Sequence, residues 1–325
     1  MTLVLGVETS CDETAAGLVT TDGEILANVI SSQANLHARY GGVVPEVASR
    51  RHLELVAPVV AEALEQGGAT LDDLGAIGVT RGPGLIGALL VGVSAAKALA
   101  WSRRLPLVPV DHLHGHVASL YLQPEPAEPP FVCLLASGGH TLLLEVRDRS
   151  GFTVLGTTLD DAAGEAFDKG ARLLGIGYPG GAELDRLAVE GDPSAFSFPV
   201  ARVPGFDVSF SGVKTALLYA VRDLSPEDRD ARRADLAASY QRAIVTALVE
   251  RTLAASAATG LETIALVGGV AANSELRARL AERDSILAPL PLCTDNGVMI
   301  ASAARYSTAV QYPEYLGLDA YATAA

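Results

Sequence analysis

Residues 3–20, LVLGVETSCDETAAGLVT, read as two short apolar strands joined by a polar turn, ETSCDET at 8–14. Apolar and β-branched residues flank a run of carboxylates and hydroxyls, so the chain reverses within that run. A third strand follows at 24–30 (EILANVI), which makes the opening a strand–turn–strand meander. The same layout returns at 131–146, FVCLLASGGHTLLLEV, where two apolar strands flank a small polar turn. Just before it, QPEPAEPP at 123–130 places four prolines in eight residues, the clearest linker signal in the chain. Two lobes are therefore expected, each opening with this pattern and turning it toward a shared cleft. The first takes 1–112 with 295–325, the second 113–294.

Between these landmarks the pattern alternates. A helix is predicted over 46–66, with Val47, Leu53, Val56 and Val60 on one face. A buried-type strand enters a glycine turn at 77–84, an apolar helix covers 85–102, and a short strand covers 106–110. Helices are predicted over 161–174, 181–190 and 234–259. Residues 262–280 read as strand, glycine turn and helix, and 294–306 as a helix returning to the first lobe. Strands alternating with helices define an α/β protein.

Bulk properties bound the function. The chain has 325 residues, 49% hydrophobic and 19% charged, enough apolar content for a large core and too much for a disordered chain. No apolar run is read as reaching the roughly 18–20 residues a membrane helix needs, so no span is expected. The opening MTLVLGVETSCDET lacks the basic region of a signal peptide. Cys11, Cys133 and Cys293 are scattered and form no CxxC pair, which suits a reducing, cytoplasmic setting. The net charge of −14 argues against binding nucleic acid through the overall field. Local basic groups remain at Arg39, Arg50 and Arg51 and at Arg229, Arg232 and Arg233.

Several segments carry chemistry. In HLHGH (112–116), His112 and His116 stand four apart, so on a helix they share a face and can grip one metal ion. A zinc peptidase of the HExxH type needs Glu after the first His, and Leu113 stands there. A third ligand must come from elsewhere. Asp295 in CTDNG is the candidate, although a plain helix N-cap explains it equally well locally. In ASGGHT (136–141), Gly138 and Gly139 let backbone N–H groups approach a phosphate, and Ser137 and Thr141 offer hydroxyls; a tight hairpin explains the segment equally. VGGVAAN (267–273) suits a nucleotide at a helix start, with Asn273 facing base or ribose. Asp161, Glu165 and Asp168 share one helical face by spacing, either as a solvated face or with Asp168 on ribose hydroxyls. YPGG adds backbone at Gly180 and Gly181 for ligand contact. In the opening turn, Glu8, Asp12 and Glu13 would repel a phosphate unless a cation intervenes, which points to a metal or to acid/base work.

Taken in order, ETSCDET, GGVVPEVASRRHLE, TRGPGLIGALLVG, DHLHGH, SGGHT, DDAAGEAFDK, YPGG, FSGVKT, GGVAAN and CTDNG resemble the TsaD family, the tRNA N6-adenosine threonylcarbamoyltransferases once described as glycoprotein endopeptidases. The likeness runs from about residue 4 to 306. It implies a two-lobed actin/Hsp70/sugar-kinase-like fold with nucleotide and metal in the interlobe cleft. It implies transfer of the threonylcarbamoyl group from threonylcarbamoyl-AMP to N6 of adenosine 37 in tRNAs reading ANN codons, giving t6A and AMP. The family's metal ligands fall on His112, His116 and Asp295. Its adenylate contacts fall on Leu135, Ala136, Ser137, Gly138, Gly139, Asp168, Gly181, Asp185 and Asn273. The metal it implies is Fe2+, with Zn2+ as the alternative. Its partners are tRNA, an inactive TsaB-type paralogue, a small TsaE-type ATPase and a TsaC-type enzyme that supplies the adenylate. Glu8 and Asp12 are the expected proton-transfer residues. Three other readings compete: a small-molecule kinase of the same fold, which leaves the histidine pair unexplained, a non-enzymatic paralogue, and a metal-dependent endopeptidase.

Overall fold

The computed structural model describes residues 2–323 and shows two compact units. The first contains residues through Glu128, the segment Asp148–Gly151, and the chain from Asp295 onward; the second contains Pro129–Arg147 and Phe152–Thr294. Residues 113–128, expected in the second lobe, thus lie in the first unit. The reason is packing: the helix that carries the histidines is held against the returning C-terminal helix, as described below.

The first unit opens with β1 (Leu3–Glu8), β2 (Glu13–Thr20) and β3 (Ile25–Ser32), an antiparallel meander. The short α1 (Ala34–Ala38) and the long α2 (Pro45–Gln66) follow, then β4 (Leu74–Gly82), α3 (Ile86–Arg103), β5 (Leu107–Asp111) and α4 (His112–Ala118). The sheet order is β3-β2-β1-β4-β5, with β1, β4 and β5 parallel. Both faces of β1 are buried, which is why it reads as an unbroken apolar run. The buried face of α2 carries Ala48, His52, Val56, Val59, Val60 and Ala63. Leu53, expected among them, is 70% exposed. Positions 48, 52, 56, 59, 60 and 63 keep the helical period, and Leu53 falls a quarter turn off it. The absence of a membrane-length run also needs correction: α3 is long and apolar enough to pass that test by length and composition. Its buried stripe of Ala88, Leu89, Gly92, Val93, Ala96 and Ala100 packs on β4 and α2, as a core helix does.

The second unit contains β6 (Phe131–Ala136), β7 (Thr141–Asp148) and β8 (Gly151–Thr157), then α5 (Ala163–Leu173), α6 (Gly181–Ala188), α7 (Ser211–Asp223), α8 (Pro226–Ala231) and α9 (Arg233–Thr259). It closes with β9 (Ile264–Val267), α10 (Ser274–Ala281) and β10 (Ser285–Leu287). Its sheet order is β10-β9-β6-β7-β8. Strand for strand this is the first sheet again: an antiparallel hairpin, then parallel strands on the other side of its first member. The likeness between 3–20 and 131–146 is therefore the likeness of two structural repeats.

The chain returns to the first unit in α11 (Gly297–Ala304). Three glycines bring this helix against the sheet. A Cβ on Gly6 would run into the Gly297 carbonyl and the Ala301 amide, and one on Gly17 into the Val298 amide; one on Gly297 would run into the Gly17 amide. Gly115 lets α4 lie against Ile300 of the same helix, and Ser302 Oγ donates to the Ala118 carbonyl at 2.7 Å.

Candidate metal centre and nucleotide-facing turns

Three neighbouring parallel strands deliver the centre. β1 ends at Glu8, β4 carries Thr80 near its end, and β5 ends at Asp111, directly before His112. The carboxyl ends of parallel strands are where open α/β sheets place ligands. Asp111 caps α4, its Oδ1 accepting from the amides of Leu113 (2.8 Å) and His114 (3.1 Å). Its Oδ2 accepts from the hydroxyl of Tyr321 at 2.8 Å, so the C-terminal segment also braces this helix.

The spacing read from the sequence places both rings on one side of α4. His112 and His116 pack edge to face, with centroids 4.8 Å apart. Asp295 Oδ1 lies 3.7 Å from His112 Nε2 and 3.2 Å from His116 Nε2. Donor atoms about 2.1 Å from a tetrahedral metal stand about 3.4 Å apart, so the set has the dimensions of a metal shell. One atom of each of the three residues lies within 4.8 Å of the others. His116 is 1% exposed, and among the described residues neither of its ring nitrogens makes a hydrogen bond. A buried imidazole in that state is costly unless something else satisfies it. The helix cap expected as the alternative for Asp295 is supplied by its neighbour: Asn296 Oδ1 accepts from the Met299 amide at 2.8 Å. Asp295 is thereby left on the histidine side.

Electrostatics also favour a cation. Burial opposes charge on His112, yet the carboxylates of Asp295, Glu8 and Asp111 override it and push its pKa up to about 9. Burial, with Asp295 and Asp12 nearby, pushes Glu13 up to about 9. The pocket thus holds protons where a bound cation would supply positive charge.

The two proposed proton-transfer residues sit differently. Glu8 is fully buried. Its Oε1 accepts from the Ser10 amide; its Oε2 accepts from Thr80 Oγ1 at 2.6 Å and from His112 Nδ1 at 3.1 Å. Asp12 is half-buried in the turn, beside Cys11 and Glu13. The turn is pinned to α2 by His52, whose Nε2–H donates to the Cys11 carbonyl at 2.9 Å while its Nδ1 accepts from Thr14 Oγ1 at 2.8 Å.

In the second unit the residues expected to contact the adenylate come from three turns. Leu135 and Ala136 end β6; Ser137 closes the turn to His140, whose amide donates to Ser137 Oγ at 3.1 Å. Gly138 and Gly139 are exposed, with open space where a side chain would stand. Thr141, expected as a hydroxyl donor, is buried and accepts from the Ala163 amide at 2.8 Å. Asp161, Glu165 and Asp168 do not form one helical face, because α5 starts only at Ala163. Asp161 pairs with Lys169 (2.7 Å) and Lys214 (2.5 Å), whereas Asp168 Oδ1 accepts from the amides of Gly180 (2.8 Å) and Gly181 (3.0 Å). Asp185 accepts from Asn273 Nδ2 at 3.0 Å and from Ser274 Oγ at 2.8 Å. Asn273 also donates to Gln241 at 2.8 Å and caps α10 through the Leu276 amide at 3.0 Å. These polar side chains hold the turns in place, and the exposed backbone lies at Gly138 and Gly139. Sequence reading missed Thr80, Ser10, Gln241 and Tyr321. Only Thr80 had a signal, a hydroxyl within the buried-type strand predicted before the glycine turn.

Two copies of one mixed five-stranded sheet have the layout of the actin/Hsp70/sugar-kinase-like fold. HypF from T. kodakarensis superposes with a TM-score of 0.63 at 16% identity, over 93% of this chain and 47% of that one. Component A of (R)-2-hydroxyglutaryl-CoA dehydratase from Acidaminococcus fermentans gives 0.57 at 15% identity, over 94% of this chain and 98% of that one. At such identities the likeness is one of fold alone. Within the class, the family model TsaD, tRNA N6-adenosine threonylcarbamoyltransferase, matches residues 24–302, and the chain belongs to this family. Relatives of that name are 53% identical in Symbiobacterium thermophilum (94% of this chain, 91% of the relative) and 52% identical in Syntrophus aciditrophicus (92% and 90%).

Proposed function

We propose that this chain transfers the threonylcarbamoyl group of threonylcarbamoyl-AMP to N6 of adenosine 37 in tRNAs reading ANN codons, forming t6A and releasing AMP. Membership of the TsaD family supports the reaction. The observation that carries its chemistry is the convergence of His112, His116 and Asp295. These residues fit one divalent metal, Fe2+ or, with the same donors, Zn2+. When bound, that ion supplies a Lewis acid toward phosphate and carbonyl oxygens. Asp12, half-buried and in the turn, takes the proton released as the N6 amine forms its new bond to the carbamoyl carbon and the bond to AMP breaks. In the second unit, the exposed backbone of Gly138 and Gly139 meets the nucleotide, while Asp168, Asp185 and Asn273 hold the neighbouring turns in shape.

The reading places the protein in the cytoplasm with a TsaB-type paralogue, a TsaE-type ATPase and a TsaC-type supplier of adenylate. Partners also bear on RNA binding. The chain carries a net charge of −14, and Arg50 and Arg51 are paired with Glu46 and Glu54 on their own helix. Partner surface therefore supplies much of the positive charge that meets tRNA. The endopeptidase reading has no support at its base position, where Leu113 is buried.

The test supplies purified chain, partners, threonylcarbamoyl-AMP and unmodified tRNA, then quantifies t6A and AMP by mass spectrometry. Equimolar t6A and AMP are expected. ATP-dependent phosphorylation of a small acceptor with no t6A would favour the kinase reading instead.

A further inference from the structure

We propose that Glu8 is a positioning residue: as the hydrogen-bond acceptor of His112 Nδ1–H, it aims His112 Nε2 at the metal. The inference rests on the metal reading above and deepens it. Glu8 was expected to move protons, and its surroundings point elsewhere. It is fully buried, and its oxygens already receive the Ser10 amide, Thr80 Oγ1 at 2.6 Å and His112 Nδ1 at 3.1 Å. A carboxylate only accepts hydrogen bonds, so the Glu8 contact keeps a proton on Nδ1 and makes Nε2 the nitrogen that would ligate the metal once its own proton is released. Nε2 is the ring nitrogen 3.7 Å from Asp295 Oδ1. Ser10 Oγ, 3.2 Å from the same Nδ1, is a hydroxyl and sets no tautomer by itself.

The arrangement follows from the sheet. In β1 and β4, Val7 pairs with Val79, so the next residues, Glu8 and Thr80, stand side by side at the strand ends. In β4 and β5, Thr80 pairs with Val110, two residues before His112. Three adjacent parallel strands thus present acceptor, donor and ring together. Outer partners of this kind fix ring orientation and raise the basicity of the ligating nitrogen; their removal typically weakens metal binding by about 10–100-fold.

The test is Zn2+ binding to the purified full chain by competition with a chromophoric chelator, for wild type, Glu8→Gln, Thr80→Val and Thr80→Ser. Glu8→Gln keeps the volume, but its amide NH2 either faces Nδ1, favouring the tautomer with Nε2 blocked, or faces the Ser10 amide, donor against donor. The expected result is zinc affinity lowered about 10–100-fold in Glu8→Gln, a smaller loss in Thr80→Val, and wild-type affinity in Thr80→Ser. Wild-type affinity in Glu8→Gln overturns the proposal. Should Glu8→Gln not fold, the Thr80 pair decides: Thr80→Val binding zinc as tightly as Thr80→Ser overturns it. A wild-type chain that binds no zinc removes the metal reading itself, which a normal wild type with an unaffected Glu8→Gln does not.

Discussion

At the scale of single residues, the side chains that matter are buried polar groups with assigned partners. His52 shows this away from the metal. It is fully buried and neutral, one nitrogen donating to Cys11 and the other accepting from Thr14. Burial lowers its pKa from the ordinary value of 6.5. A group harder to protonate in the native state binds more protons once unfolded, so stability rises with pH across the interval between the two values. The contribution is full above about pH 6.5 and is lost as the pH falls toward the lower native value. Denaturant midpoints measured between pH 8 and 5 are expected to fall less steeply for His52→Gln than for wild type. Equal slopes would show that His52 titrates as it does in the unfolded chain. Residue-scale chemistry was only partly legible from sequence. Asp295 and Asn296 are both good cap residues, and only the start of α11 decides which one caps and which faces the histidines. Asn273 and Asp168 sit beside glycines as ligand-binding residues do, yet their hydrogen bonds also organise the turns.

At the scale of elements, α11 is the brace of the first unit, and glycine contacts set its position. Gly297→Ala would push a methyl into the backbone of Gly17 and Ala16, with no flexible side chain to yield. Overpacking of this kind costs about 1–3 kcal/mol. Urea denaturation is expected to show that loss, with weaker zinc binding because Asp295 moves with the helix start. Gly212→Ala in α7, where open space surrounds the position, serves as the control and should be neutral or mildly stabilising. A harmless Gly297→Ala would mean that α11 has slack against the sheet. Most strands and helices, and their order, were readable because burial leaves apolar runs or a helical period in the letters, while β8, β10 and α7 were not predicted. What periodicity did not settle was phase and packing partner. Leu53 fits a loose helical count yet faces outward, and 113–128 reads as a new lobe until Gly115 is seen against Ile300.

At the scale of the whole molecule, repetition and charge dominate. The sheet order of the first unit recurs in the second, so the opening strand–turn–strand and its counterpart at 131–146 are the same element used twice. The first copy carries Glu8, which supports the candidate metal ligand His112, and the second carries an open glycine turn. The charge of −14 limits what the chain does alone with RNA. Filter binding at physiological salt is expected to give micromolar or weaker affinity for unmodified tRNA, about the level of non-specific binding, tightening when the proposed TsaB- and TsaE-type partners are added. Nanomolar binding by the isolated chain would place the RNA surface wholly on this protein. The central claim is that transfer depends on the metal held by His112, His116 and Asp295. The direct measurement is t6A formation from threonylcarbamoyl-AMP in the complete assembly, using chelator-stripped chain with and without added Fe2+, beside His116→Ala treated identically. Stripping should abolish t6A and Fe2+ restore it in wild type, while His116→Ala stays at least about 100-fold lower with metal present. Full activity in the stripped chain, or in His116→Ala, would contradict it.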